Sequence, residues 1–174
     1  MIIVFLVAGM SSRFNGKIKQ LAKVGPNDET LIEFSVNQAL KSNFDKIVFI
    51  TNSNTEHLFK EIFSHVYNDT PVEYYCQSYD SNKRSRPWGT TDALCVLCGK
   101  VNEPFIMVNG DDIYGELTFR KGKYLLHGNN IIGGCKMINT LPKDPCVTAN
   151  RGVIEVSSEK VISIKEMLNI SQSN

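Results

Sequence analysis

Short runs of apolar residues recur along the chain, and polar or turn-forming residues bound each of them. Runs of roughly four to eight residues that are dominated by apolar side chains are typical of strands buried on both faces of a sheet. The pattern predicts four such strands, at residues 2–8, 46–51, 72–75 and 105–108.

Amphipathic segments separate these runs, with apolar residues at the spacing that gives a helix one buried face. Asn54 precedes one of these segments, and asparagine is a favoured residue at helix N-termini. The pattern predicts helices over residues 30–41, from Asn54 to about His65, from Thr90 or Thr91 to about Lys100, and over residues 117–127.

The alternation of strands and helices predicts the α/β fold class. Parallel strands need a crossover connection, so this order indicates a Rossmann-like central sheet, mostly parallel or mixed, that is flanked by helices. After residue 130 the pattern changes, and apolar runs at 131–137, 152–156 and 161–164 predict extra strands that suit a mixed sheet edge or an antiparallel flap. The polar tail, residues 169–174, is expected to be frayed.

Length and composition narrow the class of protein. The 174 residues predict a single domain over residues 1–174, with a substantial core. Lysine and arginine number 19 against 18 aspartates and glutamates, which gives no support for a nucleic-acid partner. The first apolar run is too short to span a bilayer, so no membrane association is expected. The chain has five cysteines, and no secretory signal precedes them, which indicates a cytoplasmic protein. Cys95 and Cys98 form a C-x-x-C without a second pair at zinc spacing, so they are expected to be reduced, buried thiols with a structural role.

Two of the predicted strands end in turns that carry candidate chemistry. The first strand runs into small residues at 8–12, and Arg13 and Lys19 follow. A small-residue turn lets backbone N–H groups approach phosphate oxygens, and basic side chains neutralise their charge. The fourth strand ends at Asp111 and Asp112, and carboxylates at a strand end suit Mg²⁺ bound to phosphates. Ligands of such sheets bind beyond the carboxyl ends of strands, so both turns are expected to face one pocket for a nucleotide phosphate.

The two turns belong to an ordered set of segments that resembles the nucleotidyltransferases with a GT-A-like fold, which include the sugar-phosphate nucleotidyltransferases (pyrophosphorylases) and their cytidylyltransferase relatives. LVAGMSSRFNGKIKQLAKVG is similar to the signature loop of that family, and ETLIEFSVNQAL to the helix that follows. RPWGTTDAL is similar to the G-T-x-x-A segment near the base and ribose, and VNGDDIYG to the strand end that holds Mg²⁺. NRGVIEVSSEKVISIKE is similar to a later strand pair near the sugar phosphate, so the resemblance runs from residue 1 to about 168.

The resemblance implies a role for each matching residue. Arg13 and Lys19 would bind the triphosphate and stabilise departing pyrophosphate, and Asp111 would hold Mg²⁺. Gly152 and Glu166 would contact the sugar of the acceptor. The nucleotide would be contacted by Ala8, Gly9, Met10, Ser11, Ser12, Gln77, Gly89 and Thr90, with Gln77 reading the base.

The reaction implied by the resemblance is Mg²⁺-dependent transfer of a nucleoside monophosphate from an NTP to a sugar 1-phosphate, which gives an NDP-sugar and pyrophosphate. Gln77 and the GTTDA segment favour UTP, with dTTP as a further donor. Residues 1–115 would form the nucleotide-binding half and residues 116–174 a partial acceptor-binding part. The partners would be an NTP and a phosphorylated small molecule, and homo-oligomer formation stays open.

Departures from the family pattern keep two other functions open. Ile18 replaces a proline before Lys19, and Met167 follows Glu166 where many sugar enzymes have Lys-Pro. These departures leave room for a cytidylyltransferase that acts on phosphocholine or another alcohol phosphate. The chain also ends where relatives continue, which leaves room for a non-catalytic nucleotide-binding subunit. Individual residues have simpler interpretations too: Asp111 and Asp112 could stabilise a turn, and Gln77 could be exposed in a loop.

Overall fold

The computed structural model describes residues 1–9, 17–144 and 146–171. These residues fall into two compact units, Met1–Asn129 and Asn130–Asn174. Among the described residues, no helix combines the length and the apolar character needed to cross a membrane.

The first unit is built on a five-stranded sheet with the order β3-β4-β2-β1-β5. β4, β2, β1 and β5 run parallel to their neighbours, and the short β3 pairs antiparallel with β4 at the edge. The predicted mixed, mostly parallel sheet is therefore confirmed. The strands are β1 (Ile2–Leu6), β2 (Lys46–Thr51), β3 (Val66–Tyr67), β4 (Thr70–Cys76) and β5 (Phe105–Asn109).

Helices connect these strands, as predicted. The first begins at an N-cap, Thr30, whose hydroxyl accepts from the Glu33 N–H while the Glu33 carboxylate accepts from the Thr30 N–H. This reciprocal arrangement satisfies two backbone donors that the helix itself leaves unpaired. The helices are α1 (Leu31–Leu40), α2 (Glu56–Phe63), α3 (Thr90–Cys95) and α4 (Glu116–Leu125), and a short 3₁₀ helix covers Lys19–Leu21.

The core lies on both faces of β1, which explains why the run at the start of the chain is apolar throughout. Ile3, Phe5 and Val7 face one side and pack with buried residues of α1, α2 and α4. Ile2 and Val4 face the other side and pack with α3 and the turns that follow it. A strand buried on both faces places its carboxyl end at a fixed position in the molecule, so the turn after it starts from a rigid support.

The ends of two helices differ from the prediction. Asn54 does not cap α2. Instead the Oδ1 of Asn52 accepts from the N–H groups of Asn54 and Thr55, at 3.0 and 3.1 Å. Asparagine forms such local turns readily, and the choice between two nearby asparagines depends on where β2 ends. The third helix is also shorter than predicted, because after Cys95 the chain continues in tight turns to Lys100, with hydrogen bonds between residues three apart.

The second unit contains an antiparallel hairpin, and this part of the prediction is only partly correct. The strands predicted at 152–156 and 161–164 are present as β6 (Ala149–Ser157) and β7 (Lys160–Ile170). The strand predicted at 131–137 is wrong: residues 131–136 are irregular, and a 3₁₀ helix covers Met137–Thr140. Gly133 and Gly134 offer no side chains to pack on a sheet and cost backbone entropy when fixed in a strand.

Two smaller expectations are also corrected. The tail is not frayed over its whole predicted length, because Ile170 ends β7 and is 5% exposed, and Ser171 is buried as well. Residues 172–174 lie outside the described residues. The cysteines that the structure describes are free thiols, as expected, but Cys95 and Cys98 are exposed rather than buried.

Candidate functional site

A cleft of about 490 Å³ lies in the first unit, beyond the carboxyl ends of β1, β4 and β5. Carboxyl ends of parallel strands are where sheets of this class bind ligands. The cleft is lined by residues from both turns that the sequence singled out, together with the segment that follows β4. Its lining residues are Leu6, Ala8, Gly9, Lys19, Gln20, Gln77, Arg86, Pro87, Gly89, Thr90, Ala93, Asn109 and Asp111.

The end of β1 supplies the first wall of the cleft. The Val7 N–H donates to the Ile50 carbonyl at 2.9 Å, which extends the parallel pairing beyond the strand, and Ala8 is buried. The Asn52 Nδ2 donates to the Ala8 carbonyl at 3.0 Å and fixes the point at which the chain leaves the sheet. A Cβ added to Gly9 would meet no atom within 4 Å among the described residues, so Gly9 borders open space in the cleft.

The end of β5 is held against the end of β1 by a close backbone approach at Gly110. The Gly110 N–H donates to the Leu6 carbonyl at 2.9 Å. A Cβ at this position would lie 2.4 Å from the Val7 Cγ1 and 3.0 Å from the Leu6 carbonyl oxygen. Only glycine allows this approach, which places Asp111 beside the first turn.

The two adjacent carboxylates of this turn have different surroundings. The Asp112 Oδ2 accepts from the Asn109 Nδ2 at 3.1 Å and from the Tyr114 hydroxyl at 3.3 Å. Burial raises the pKa of Tyr114, which keeps its phenol protonated as a donor. Asp112 therefore stabilises the turn. Asp111 lines the cleft, and its Oδ2 lies 3.6 Å from the Lys19 Nζ.

Lys19 enters the cleft from the 3₁₀ helix that it begins, and Gln20 follows it there. The Gln20 side chain is 4% exposed, and among the residues that the structure describes its Oε1 has no hydrogen-bond partner. A buried polar atom of this kind has lost its water and gains from any donor that a ligand brings. Sequence reasoning did not select Gln20, because a glutamine next to a lysine carries no signal until its burial is known.

Gln77 follows β4 directly and is 5% exposed, so its interpretation as an exposed loop residue is wrong. Its backbone N–H donates at 2.8 Å to the carbonyl of Thr51, the last residue of β2. Its Nε2 donates to the Gly89 carbonyl at 3.1 Å and to the Asp92 Oδ2 at 2.7 Å. Gly89 has a φ of 116°, a conformation that favours glycine. These bonds join the end of β4 to the start of α3 across one side of the cleft.

A run of basic residues at positions 83–86 (KRSR) precedes α3 and contributes one arginine to the cleft. Arg86 and Pro87 line it, while the Arg84 guanidinium lies 3.7 Å from the centre of the Trp88 ring and donates to the Pro87 carbonyl at 3.3 Å. Stacking of this kind is a favourable cation–π contact. Arg84 therefore holds the loop, and Arg86 is the residue of the run that is available to a ligand.

Among the described residues that line the cleft, Asp111 supplies the one carboxylate that a divalent cation would find. Within the described ranges no group of three or more histidine, cysteine, aspartate or glutamate side chains could hold a metal ion. Mg²⁺ is commonly bound through one or two carboxylates, with waters and substrate phosphates completing its shell. Asp111 together with a phosphorylated ligand fits that pattern.

The remaining predicted site residues divide into two groups. Met10, Ser11, Ser12 and Arg13 lie outside the described residues. Gly152 and Glu166 belong to the second unit, where they are direct partners across the β6–β7 ladder. The cleft thus brings together Ala8, Gly9, Lys19, Gln77, Gly89, Thr90 and Asp111 from the predicted set.

Comparison with known proteins adds a family match. A family model described as "Nucleotidyl transferase" matches residues 5–166. A protein of Acanthamoeba polyphaga mimivirus named "Probable UDP-N-acetylglucosamine pyrophosphorylase" is 33% identical over 175 residues, which cover 91% of this chain and 62% of the relative. A Streptococcus pyogenes protein named "UTP--glucose-1-phosphate uridylyltransferase" is 29% identical over 126 residues, which cover 61% of this chain and 40% of the relative. The chain therefore matches less than two thirds of the length of either relative.

A solved structure gives the same fold. The chain described as a "Putative Glucose-1-Phosphate Thymidylyltransferase from Bacillus anthracis in Complex with a Sucrose" superposes with a TM-score of 0.70 over 95% of this chain and 64% of that chain. The two sequences are 15% identical, a level at which the likeness concerns the fold alone. It confirms the predicted GT-A-like α/β class.

Proposed function

The chain belongs to the nucleotidyl transferase family, and from that premise we propose that it transfers a nucleoside monophosphate from an NTP to a sugar 1-phosphate. The products are an NDP-sugar and pyrophosphate. UTP is the favoured donor, dTTP is a further donor, and Mg²⁺ is the cofactor. The names of the mimiviral and streptococcal relatives support a uridine nucleotide and a sugar phosphate as the substrate classes.

One observation carries the proposal: the two polar turns and the segment after β4 border the same cleft. Gly9 offers a backbone without a side chain, Lys19 a positive charge, and Asp111 a carboxylate. Gln77 and Gly89 offer polar groups at another part of the lining. An anion-binding turn, a cation ligand and a base-sized polar wall are the three parts that a nucleoside triphosphate requires.

The chemistry requires alignment and charge neutralisation rather than a covalent enzyme intermediate. A phosphate oxygen of the acceptor attacks the α-phosphorus, and the bond from that phosphorus to the oxygen bridging the β-phosphate breaks. The bond electrons leave with pyrophosphate, which therefore gains negative charge in the transition state. Groups that are already positioned to meet this charge lower the barrier most.

Each residue of the cleft has a distinct part in this reaction. Lys19 neutralises charge on the triphosphate and on departing pyrophosphate, and Arg13, outside the described residues, shares that role. Asp111 would hold Mg²⁺ together with phosphate oxygens. When bound, Mg²⁺ supplies Lewis-acid polarisation and a template for the phosphates. Ala8 and Gly9 approach the phosphates through the backbone, and we assign the same role to Met10, Ser11 and Ser12, which lie outside the described residues.

The nucleoside and the acceptor are assigned to different segments. Gln77, Gly89 and Thr90 contact the base and ribose within the cleft. Gly152 and Glu166 contact the sugar, as part of residues 116–174, which we assign to the acceptor, while residues 1–115 bind the nucleotide.

The proposal is tested by pyrophosphate release. The protein is incubated with Mg²⁺, one of UTP, dTTP, CTP or GTP, and either glucose 1-phosphate, N-acetylglucosamine 1-phosphate or phosphocholine. Release with UTP and a sugar 1-phosphate is the expected result. Release only with CTP and phosphocholine would replace the proposal with the cytidylyltransferase function. Tight binding of Mg-UTP without release for any acceptor would replace it with nucleotide binding alone.

A further inference from the structure

We propose that Asp92 is a positioning residue that orients the Gln77 amide, so that the base meets only a hydrogen-bond acceptor there. This orientation favours uracil or thymine over cytosine. The inference rests on the proposed function, because it concerns the base of the nucleotide that the cleft would bind. The Gln77 side chain donates hydrogen bonds to the Gly89 carbonyl and to the Asp92 carboxylate, and these two bonds carry the inference.

The Gln77 side chain has little freedom to move. It is 5% exposed, and its own backbone is fixed by the bond from its N–H to the Thr51 carbonyl at 2.8 Å. The side chain lines the cleft that holds the candidate nucleotide residues. Gln77 is therefore a fixed part of the cleft wall, and its chemistry depends on which end of the amide a ligand meets.

The partners of Gln77 determine that orientation. Its Nε2 carries two hydrogens, and the two bonds to the Gly89 carbonyl and the Asp92 carboxylate use both of them. A carbonyl oxygen and an ionised carboxylate only accept hydrogen bonds. Turning the amide over would place Oε1 against two acceptors and leave each without a donor, an arrangement that is costly for buried groups. The Gln77 Oε1 is consequently the amide atom that is left for a ligand.

An acceptor at this position discriminates between pyrimidines. Uracil and thymine carry N3–H, which can donate to the Gln77 Oε1, whereas the N3 of cytosine is itself an acceptor at neutral pH. Two facing acceptors repel each other, and a buried polar group left unpaired costs binding energy. The wall at Gln77 is thus matched to a base with a hydrogen on N3.

Asp92 acts through Gln77 and not through the ligand. It lies in the first turn of α3, three residues after Gly89, and it is absent from the lining of the cleft. Gly89 supplies its bond through the backbone, so no side-chain change there removes it. Asp92 is the partner whose chemistry a substitution can change.

The experiment compares binding of Mg-UTP and Mg-CTP by titration calorimetry in the wild-type protein, Asp92→Leu, Asp92→Asn and a control, Glu61→Leu. Glu61 lies on an exposed position of α2. The wild type should prefer UTP, and Asp92→Leu should reduce the ratio of the two affinities at least about tenfold, the effect of one misdirected hydrogen bond. Asp92→Asn retains an acceptor oxygen of similar shape and should keep the ratio within about threefold, as should Glu61→Leu.

Each other outcome overturns the inference in a recognisable way. An equal loss of affinity for both nucleotides in Asp92→Leu would mean that Asp92 has a structural role only. An unchanged ratio would overturn the orienting role while the proposed function stands. A wild type that prefers CTP would overturn the orienting role and also the choice of UTP as the favoured donor. A wild type that binds neither nucleotide would overturn both. If Asp92→Leu does not fold, Asp92→Ala takes its place with the same expected ratio.

In the free wild type, NMR should also show that the Gln77 Nε2 hydrogens are protected from solvent exchange. Rapid exchange would contradict the two hydrogen bonds of this amide.

Discussion

The Lys19 Nζ and the Asp111 Oδ2 lie 3.6 Å apart in the cleft, although the two residues are 92 positions apart in the sequence. Their side chains are 40% and 38% exposed, and ion pairs this exposed contribute roughly 0–1 kcal/mol to stability. A contribution to stability therefore does not explain why these two charges lie close together. An anion and a cation that bind together, such as a triphosphate and Mg²⁺, would each find an opposite charge here.

Asp111 and Asp112 allow a comparison between neighbouring carboxylates. We expect Asp111→Ala to reduce turnover at least about a hundredfold, since a charged transition state loses a group worth roughly 2–4 kcal/mol. It should leave the melting temperature almost unchanged. Asp112→Ala removes the acceptor for Asn109 and Tyr114 and should cost about 1–2 kcal/mol of stability with turnover retained. Steady-state kinetics and urea unfolding measure the two effects, and an exchanged pattern would reverse the assignment of the two acids.

Lys19 is compared with Lys17, an exposed lysine two residues earlier that does not line the cleft. Lys19→Met should lower turnover about a hundredfold, because methionine keeps most of the length of the lysine side chain but not its charge. Lys17→Met should remain within about twofold of the wild type, because it loses only an exposed charge. Equal kinetic losses in both variants would mean that general positive charge, rather than the placement of Lys19, matters.

Alanine substitutions at Gly110 and Gly9 are expected to have different effects, the first on stability and the second on nucleotide binding. Gly110→Ala should destabilise the protein by about 1–3 kcal/mol, because the new Cβ meets the Val7 side chain and the Leu6 carbonyl. Gly9→Ala places its Cβ in open space and should fold normally but weaken Mg-UTP binding, since it fills part of the cleft. Gly133→Ala, also in open space but away from the predicted site residues in sequence, should change neither quantity. Thermal unfolding with and without Mg-UTP measures both effects, and a stable Gly110→Ala would contradict the close approach.

Tyr74 gives a prediction at high pH. Burial raises the pKa of Tyr74 to about 12, whereas an unfolded tyrosine ionises near pH 10. The folded state holds its proton where the unfolded state has lost it, so this contribution to stability is present below about pH 10 and is lost as the pH rises to about 12. Urea unfolding should show the stability difference between the wild type and Tyr74→Phe narrowing over that interval.

The control for that experiment is Tyr124→Phe, at a tyrosine that is 77% exposed. Its stability difference from the wild type should be small at every pH. Burial also raises the pKa values of Tyr67 and Tyr114. Both tyrosines are present in the wild type and in the variants, so their titration cancels in the stability difference. A difference between wild type and Tyr74→Phe that is constant from neutral pH to pH 12 would mean that Tyr74 titrates as an exposed phenol does.

The strands and helices of the first unit follow from local pattern because its sheet is covered on both sides. A run such as Ile2–Leu6 has few alternatives to a buried strand, and helical spacing between such runs demands crossovers. The wrong predictions concern segments whose conformation depends on the structure around them. The Ile131 and Ile132 side chains look like strand residues, but the Gly133–Gly134 pair follows them and no ladder includes them in the described part of the chain. Which asparagine closes the turn before α2 depends on where β2 ends.

The site was predictable where chemistry lies at a strand end and unpredictable where it depends on burial. Gly9 and Asp111 each follow an apolar run, so the parallel sheet brings them to one edge. Nothing in the sequence distinguishes Asp111 from Asp112 until the Asn109 and Tyr114 contacts are known. The contact of Asp92 with Gln77 joins residues 15 positions apart and has no sequence signal.

The central claim is that this cleft binds a nucleoside triphosphate with Mg²⁺. The most direct measurement is a titration of the isotope-labelled protein with UTP and Mg²⁺, followed by amide NMR chemical shifts. The largest changes should fall on Gly9, Lys19, Gln77, Gly89 and Asp111, and they should weaken in Asp111→Ala. Changes confined to a second cavity of the first unit, which Asn37, Lys41 and Asn68 help to line, would contradict the claim, as would no changes at millimolar nucleotide.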